Sequence, residues 1–440
     1  MKISVIGVGY LGAVHAASMA KIGHDVVGLD VDAERIARLQ AGEAPFHEPG
    51  FEEILREGLA AGRLRFTTDY ADLADAQVHF LGLGTPQLAD GFGADLTYVN
   101  AAVDSLAAVL PERGGAPTLV VGKSTVPVGT ARRLAQRLEA IDGVHLMWNP
   151  EFLREGFAVK DTLEPDRIVY GVSDPHGDGL AVEMLDEAYA PLLEADCPRL
   201  VMGLEAAELV KVSANAFLAT KISFINAIAE LCEATGADVT DIAKAIGMDK
   251  RIGKKFLRAG VGFGGGCLPK DIRAFIASAE DLGCGESLAF LREVDVINQR
   301  RRTRAVELAR EALSGEVAGR RVTILGAAFK PDSDDVRDSP ALEIAQRLTA
   351  EGADVRVTDP QALENAQRRV PGLTAVEDLE EALAGAELVL LLTEWKQFKK
   401  LDPRWAAGIV GVPRVIDGRN VLDPTQWRAA GWEFWALGRP

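Results

Sequence analysis

Ile3-Ser4-Val5-Ile6-Gly7-Val8-Gly9-Tyr10-Leu11-Gly12 is the stretch whose reading decides the fold. Four residues suited to a buried strand run straight into glycines spaced G-x-G-x-x-G. A second short apolar run, residues 25–29, ends at Leu29-Asp30, about 20 residues further on. Strand, glycine turn, helix, strand and terminal acid together form a dinucleotide-binding βαβ fingerprint. Gly7 permits the tight turn, Gly9 lets a pyrophosphate approach the backbone, and Gly12 lets helix and strand pack closely. The free N–H groups at the start of the helix face the phosphates. Asp30 would accept bonds from the adenine ribose hydroxyls and repel a 2′-phosphate, which favours NAD over NADP. Arg35 pairs either with an adenosine-side group or with Asp32. The bland alternative, a glycine turn without a ligand, does not account for the strand and acid that complete the pattern.

Working outward, residues 3–6, 25–29, 78–83 and 118–121 are short apolar runs followed by turn residues, as in a parallel sheet buried on both faces. Residues 148–170 carry a further strand pair with loops, so the first domain is expected over residues 1–200. From Glu205 to Thr235 apolar residues recur at helical spacing without proline. At ~1.5 Å per residue that is a helix of more than about 40 Å, which Gly236 would stop. A second helical stretch is read from Ile272 to about Ser314, broken at Gly283. Alternation resumes at Arg321, with strands expected at 322–326, 354–358, 387–392 and 414–416. The fold class is α/β, with two Rossmann-like, doubly wound parallel-sheet domains joined by a central helical domain. The expected bounds are 1–200, 201–300 and 310–440.

The chain has 440 residues and a formal net charge of −17. The acid excess, with no block of Lys and Arg, argues against nucleic acid or an anionic membrane as partner. It leaves a small anionic ligand open. Cys197, Cys232, Cys267 and Cys284 form no C-x-x-C pair and no disulfide framework. His15, His24, His47, His79, His145 and His176 show no H-x-x-x-H spacing, so no metal site is expected. Met1-Lys2 and the apolar stretch after it imitate a signal peptide, but the glycine spacing explains that stretch better. No apolar run approaches the ~18 residues of a membrane span. A cytoplasmic protein is expected.

Ligands of open parallel sheets bind beyond the carboxyl ends of the strands. Gly84-Thr85-Pro86 and Ser124-Thr125 sit at such ends. Their hydroxyls are candidates for nicotinamide or ribose contacts, although plain turn chemistry explains Thr85 as well. In Val261-Gly262-Phe263-Gly264-Gly265-Gly266-Cys267-Leu268-Pro269-Lys270-Asp271 the glycines let the backbone wrap a ligand, and the cysteine that follows has Lys270 and Asp271 beside it. A thiolate there can add to an aldehyde, and hydride loss then gives a thioester. An incidental cysteine in a glycine loop is an equal alternative on this segment alone. Lys211 and Asn215 lie at i and i+4 on one face of the long helix, as a site pair or an ordinary surface pair. Glu151 and Glu155 follow Asn149-Pro150 and read as paired carboxylates or as solvated loop acids.

Taken together, these segments resemble the UDP-glucose/GDP-mannose dehydrogenase family over essentially the whole chain. The motifs are Gly7–Gly12, Gly84–Pro86, Lys123–Thr130, Asn149–Gly156, Lys211 with Asn215, Arg251-Ile252-Gly253, Gly262–Asp271, Phe329-Lys330 and Asp335–Pro340. The approach to the cysteine, Arg251-Ile252-Gly253-Lys254-Lys255-Phe256-Leu257, is similar to the UDP-glucose branch. Gly266 departs from the serine common in that branch, and Tyr10-Leu11 from the more usual Tyr-Val. The resemblance implies oxidation of UDP-glucose at C6 by two NAD in succession, through a thiohemiacetal and a thioester on Cys267. It implies that Lys211, assisted by Asn215, holds the C6 oxygen, and that Asp271, Glu151 and Thr125 order the water. It implies NAD contacts from Gly7, Gly9, Tyr10, Leu11, Gly12, Asp30, Arg35, Thr85, Thr125, Glu155, Lys270 and Arg337. Sugar-nucleotide contacts are implied for Glu151, Phe152, Leu153, Arg154, Glu155, Lys211, Asn215, Phe256, Leu257, Arg258, Ala259, Gly260, Gly264 and Lys330. Arg251 would reach the site of a neighbouring subunit, in a homodimer formed through the central helix.

Three other readings compete. A GDP-mannose dehydrogenase would keep the same chemistry. A non-catalytic NAD- or UDP-sugar-binding protein would keep the glycines but has no need of Cys267, Lys211, Asn215 and Asp271 together. A two-electron alcohol dehydrogenase needs no cysteine.

Overall fold

A computed structural model describes residues 1–110, 117–175 and 177–440. His176 therefore lies outside the described residues. By its internal contacts the chain divides into two compact units. The first holds Met1–Ala214 and Arg273–Leu282, and the second Asn215–Ile272 and Gly283–Pro440.

The first unit is built on an eight-stranded sheet. Its strands are β1 (Lys2–Ile6), β2 (Asp25–Leu29), β3 (Leu64–Thr67), β4 (Val78–Leu81), β5 (Thr118–Gly122), β6 (Val144–Trp148), β7 (Ile168–Val172) and β8 (Arg199–Gly203). They lie in the order β3-β2-β1-β4-β5-β6-β7-β8, parallel except for the β6–β7 pair. In β5 the side chains of Leu119 and Val121 enter one apolar cluster and that of Val120 enters another. This alternation places apolar layers on both faces of the sheet, as the near-continuous apolar runs predict. The order reverses between β1 and β4, which opens a crevice at their carboxyl ends.

The second unit carries a six-stranded, all-parallel sheet in the order β11-β10-β9-β12-β13-β14. Its strands are β9 (Arg321–Leu325), β10 (Asp354–Thr358), β11 (Thr374–Ala375), β12 (Leu388–Leu391), β13 (Arg414–Asp417) and β14 (Glu433–Ala436). The α/β class and the pair of parallel sheets are as read from the sequence.

The long helix runs from Leu204 to Thr235, and Gly236 follows it at φ +75°. Its residues up to Ala214 belong to the first unit and those from Asn215 to the second. By length and composition it is the one helix among the described residues that could cross a membrane. Leu204, Ala207, Glu208, Lys211, Ala219 and Ile225 on it are buried, while Phe217, Phe224 and Leu231 are exposed. The second helical stretch starts earlier than read, at Leu268, and runs to Asp281. Pro269 falls in its first turn, where a missing N–H costs no helical bond. The break covers Gly283, at φ +73°, and a second helix follows over Phe290–Ala312.

Candidate active site

In the first unit the site begins at the glycine turn. Gly7 sits at φ +86°, in the left-handed region. A Cβ on Gly12 would lie 1.9 Å from the Gly7 carbonyl oxygen, so only glycine allows this approach of helix to strand. Around Gly9 nothing lies within 4 Å of a built Cβ. The helix that follows, Tyr10–Lys21, has no side-chain cap and no acid in its first turn. Its N-terminal N–H groups are thus open to an anion, and the turn fits a pyrophosphate. At the end of β2, Asp30 is buried and accepts from the Asp32 N–H at 3.1 Å and from Arg35 at 3.0 Å. Arg35 also reaches Asp32 at 3.4 Å. It therefore spans both acids of this turn.

Tyr10 turns inward. Its hydroxyl donates to the Glu48 carboxylate and accepts from the Gly156 N–H at 2.9 Å. Glu48 accepts from Gly156 as well, at 2.6 Å. Burial and the Glu48 carboxylate hold the Tyr10 phenol well above its ordinary pKa. The pair ties the dinucleotide helix to the loop carrying Glu151 and Glu155. Leu11 is half-buried beside it. At the ends of β4 and β5, Thr85 donates to the Thr125 carbonyl at 2.7 Å and Ser124 to the Leu83 carbonyl at 2.7 Å. These bonds lock the two loops together, and the Thr125 side chain is half-buried there.

Beyond β6, Glu151 and Lys211 form an ion pair at 2.9 Å, with side chains only 8% and 7% exposed. The second Glu151 oxygen accepts from the Leu153 N–H at 2.6 Å. The Lys211 ammonium lies 5.7 Å from the centre of the Phe152 ring, against which Arg167 also packs. Leu153 packs on the first core, and Glu155 is buried. Arg154 pairs with Asp161 at 2.6 Å.

Under this pair lies a cation that the sequence reading left without a role. Lys123, directly after β5, donates to Asn149 Oδ1 at 2.9 Å and to the Tyr189 hydroxyl at 3.3 Å. Enclosure of the ammonium, with Lys211 adding repulsion, lowers its pKa to about 8, although Glu151 pulls the other way. The residue as a whole keeps some surface, but the charge itself is enclosed.

In the second unit Cys267 is exposed and directly precedes the helix Leu268–Asp281. Its carbonyl accepts from the Asp271 N–H at 2.9 Å, one turn on. Asp271 is buried and accepts from Asn215 Nδ2 at 2.7 Å, and Lys270 lies 2.8 Å from its other oxygen. Lys270 therefore pairs with Asp271. The glycines before the cysteine press against three different neighbours. A Cβ on Gly264 would meet the Asp338 carbonyl at 2.2 Å, one on Gly265 the Phe329 ring at 2.7 Å, and one on Gly266 the Arg337 guanidinium at 2.2 Å. The glycine that replaces the branch's serine is thus the surface on which Arg337 rests, while Asp335 holds that guanidinium at 2.7 Å.

The remaining residues of the sugar-nucleotide expectation also fall in this unit. Phe256 is partly exposed, with φ +63°. Leu257 and Ala259 are buried in a small apolar cluster with Ile225 and Val239, so they can offer a ligand only backbone. Gly260 donates to Asn226 at 2.9 Å. Arg258 pairs with Glu394 at 3.3 Å, Lys330 lies over the Phe329 ring, and Arg251 is exposed beside Asp249. Asn298 brackets Phe263 from both sides, and Arg302 bonds the Phe263 carbonyl at 3.1 Å. Asn226, Asn298 and Arg302 shape the cysteine loop, and no sequence motif pointed to them. Among the described residues no cluster of three His, Cys, Asp or Glu could hold a metal.

Residues 1–193 match the NAD binding domain of the UDP-glucose/GDP-mannose dehydrogenases, residues 205–300 their central domain and residues 323–424 their UDP binding domain. The chain belongs to the UDP-glucose/GDP-mannose dehydrogenase family. It is an NAD-dependent oxidoreductase of that family with a UDP binding domain of its own. It is 43% identical to a UDP-glucose 6-dehydrogenase of Pseudomonas aeruginosa, over 100% of this chain and 98% of the relative. A UDP-glucose 6-dehydrogenase of Rhizobium meliloti is 41% identical over 100% of both chains. The solved UDP-glucose dehydrogenase of Pyrobaculum islandicum superposes with a TM-score of 0.90 at 40% identity, covering 100% of this chain and 98% of that one.

Proposed function

We propose that this dehydrogenase oxidises UDP-glucose at C6 to UDP-glucuronate through a thioester on Cys267. The observation that carries the reading is the placement of Cys267. It is an exposed thiol at the start of a helix, one turn from a buried Asp271 that Asn215 holds. Negative charge on sulfur is favoured at such a helix N-terminus. The relatives named as UDP-glucose dehydrogenases support UDP-glucose over GDP-mannose as substrate.

NAD would supply the hydride acceptor for both oxidations. Gly7, Gly9, Tyr10, Leu11 and Gly12 would hold its pyrophosphate, Asp30 and Arg35 its adenosine end. Thr85, Thr125, Glu155, Lys270 and Arg337 would complete its contacts. Lys211 holds the C6 oxygen and stabilises the charge that develops on it. Cys267 adds to the C6 aldehyde, forming a carbon–sulfur bond, and oxidation of that adduct leaves a thioester. A water ordered by Asp271, Glu151 and Thr125 adds to the thioester carbon and the thiolate leaves. Phe152, Leu153, Arg154, Phe256, Leu257, Arg258, Ala259, Gly260, Gly264 and Lys330 bind the sugar nucleotide, the buried ones through backbone. We assign residues 1–200 to NAD binding, 201–300 to a central dimerisation domain and 310–440 to UDP-sugar binding. In a cytoplasmic homodimer built on the long helix, Arg251 would serve the partner's site.

The test is NADH release with UDP-glucose, GDP-mannose and UDP-N-acetylmannosamine, each supplied separately. Two NADH per UDP-glucose, and loss of acid formation in Cys267→Ser, are expected. Preference for another sugar would overturn the substrate, and full acid formation by Cys267→Ser would overturn the thioester.

A further inference from the structure

Lys123 is a half-buried residue with an enclosed ammonium that no carboxylate takes as an ion-pair partner among the described residues. It directly follows β5, two residues before Thr125, and its ammonium is held by neutral groups alone. Asn149 Oδ1 accepts at 2.9 Å and the Tyr189 hydroxyl at 3.3 Å, and the rings of Phe80 and Tyr189 lie 5.7 and 5.9 Å away. Tyr189 in turn donates to Asn149 Oδ1 at 2.7 Å, and Asn149 Nδ2 donates to the Val169 carbonyl at 2.8 Å. Asn149 is therefore fixed from three directions. Pro150 and Glu151 follow it directly in the chain.

The groups that face this ammonium come from five elements. His15 on the first helix is fully enclosed, and burial keeps its ring neutral, with neither nitrogen hydrogen-bonded. Phe80 on β4 and Tyr189 supply ring faces. Glu151, after β6, attracts it, and Lys211, on the long helix, repels it. Glu151 attracts the Lys123 charge and is itself held by Lys211 at 2.9 Å. Two ammonium groups thus act on the Glu151 carboxylate, one in contact and one through space.

We propose that Lys123 is a positioning residue of the oxidation: it anchors the Asn149–Glu151 turn and, by sharing Glu151 with Lys211, leaves Lys211 available to negative charge on the substrate oxygen. This rests on the UDP-glucose oxidation proposed above. A second cation loosens the hold of Glu151 on Lys211 in the ground state. When charge develops on the C6 oxygen, Lys211 turns its bond to that oxygen while Lys123 keeps Glu151 compensated. Interactions that strengthen only as the reaction proceeds are those that raise kcat.

The test uses the full-length enzyme with NAD and UDP-glucose over pH 6–10. Lys123→Met should lower kcat by about 10- to 100-fold, with KM for either substrate changing less than about threefold. Removing a buried cation makes every neighbouring proton harder to lose, so both limbs of its pH–rate profile should move to higher pH. Lys123→Arg keeps the charge, so its limbs should stay in place even where kcat falls. A uniform loss of kcat in Lys123→Met with unmoved limbs would reduce Lys123 to a packing role and overturn the proposal. Should Lys123→Met fold poorly by thermal melting, Lys123→Gln makes the same comparison. A readout without substrate separates this inference from the proposed reaction. The pH at which trace acetic anhydride half-labels Lys211, followed by peptide mass spectrometry, should rise in Lys123→Met. If the wild-type enzyme leaves UDP-glucose untouched, the reaction is wrong, while the labelling still decides whether Lys123 acts on Lys211. An unmoved labelling midpoint overturns the inference whatever the substrate.

Discussion

Replacing Lys211 by Met should leave Glu151 buried and without its cation, and the cost can be worked out from the pair's surroundings. The two side chains are 7% and 8% exposed and 2.9 Å apart. Breaking a buried pair from one side costs about 3–5 kcal/mol, because the remaining charge stays desolvated. Two features move this case to the lower end. Glu151 keeps the Leu153 N–H at 2.6 Å, and the Lys123 charge still acts on it. About 3 kcal/mol is therefore expected. In a unit of this size each kcal/mol moves Tm by about 2–4 °C, so the first unit should melt about 6–12 °C lower. The double variant Lys211→Met/Glu151→Gln removes both charges and should recover to within about 1 kcal/mol of wild type. Calorimetry at pH 7 reads the transition, and hydrogen exchange at β5 and β6 identifies it as that of the first unit. A single variant that loses less than about 1 kcal/mol, or a double variant no more stable than the single, would refute the picture of an interdependent buried pair.

Gly12→Ala sets a Cβ 1.9 Å from the Gly7 carbonyl oxygen, so the turn must open. NAD affinity by titration calorimetry should fall more than about tenfold, since the glycine sets the approach to the pyrophosphate; unchanged affinity would sink the assigned phosphate site. Asp30→Ser frees Arg35 from its 3.0 Å partner to meet a 2′-phosphate. The preference for NAD over NADP in kcat/KM should then shrink by at least about tenfold, and an unaltered ratio would show that Asp30 does not discriminate. Stability should also depend on Lys123 and pH in a definite direction. Its folded pKa of about 8 lies below the ordinary 10.5, so the unfolded chain binds the proton more tightly. Stability from this group is full above about pH 10.5 and is lost as pH falls through about 8, amounting to about 3 kcal/mol. Lys123→Met should flatten the rise in Tm of the first unit between pH 8 and 10, and a slope equal to wild type would contradict an enclosed ammonium.

Local chemistry carried most of what the sequence made legible. The runs at 25–29 and 354–358 coincide with β2 and β10 because strands buried on both faces leave long apolar stretches between turn signals. β3 escaped because Arg65 interrupts its pattern, and β11 because it has only two residues. The helix Val239–Gly247 was hidden between the long helix and the cysteine loop. The glycine turn and the Cys267–Asp271 segment could be read because their geometry is set within a dozen neighbours. The contacts that hold them could not. Glu48 meets Gly156 across 108 positions, and Asn298 meets Phe263 across 35. The enclosure of Lys123 likewise depends on Tyr189, 66 positions away, and no periodicity encodes that.

The order of the chain also constrains how the molecule is made. The first unit is not finished when its eight strands have been synthesised, for it also takes in Arg273–Leu282. Those residues emerge after the whole segment Asn215–Ile272, which belongs to the second unit. At synthesis rates of about 5–20 residues per second, the first unit waits about 3–12 s on the ribosome for its last piece. Through that interval the surface destined to receive this segment is exposed to chaperones and to other nascent chains. Expression yield should therefore respond to translation speed between codons 215 and 282 more than to speed elsewhere, and a chain cut at Ala214 should depend on supplying the missing helix in trans.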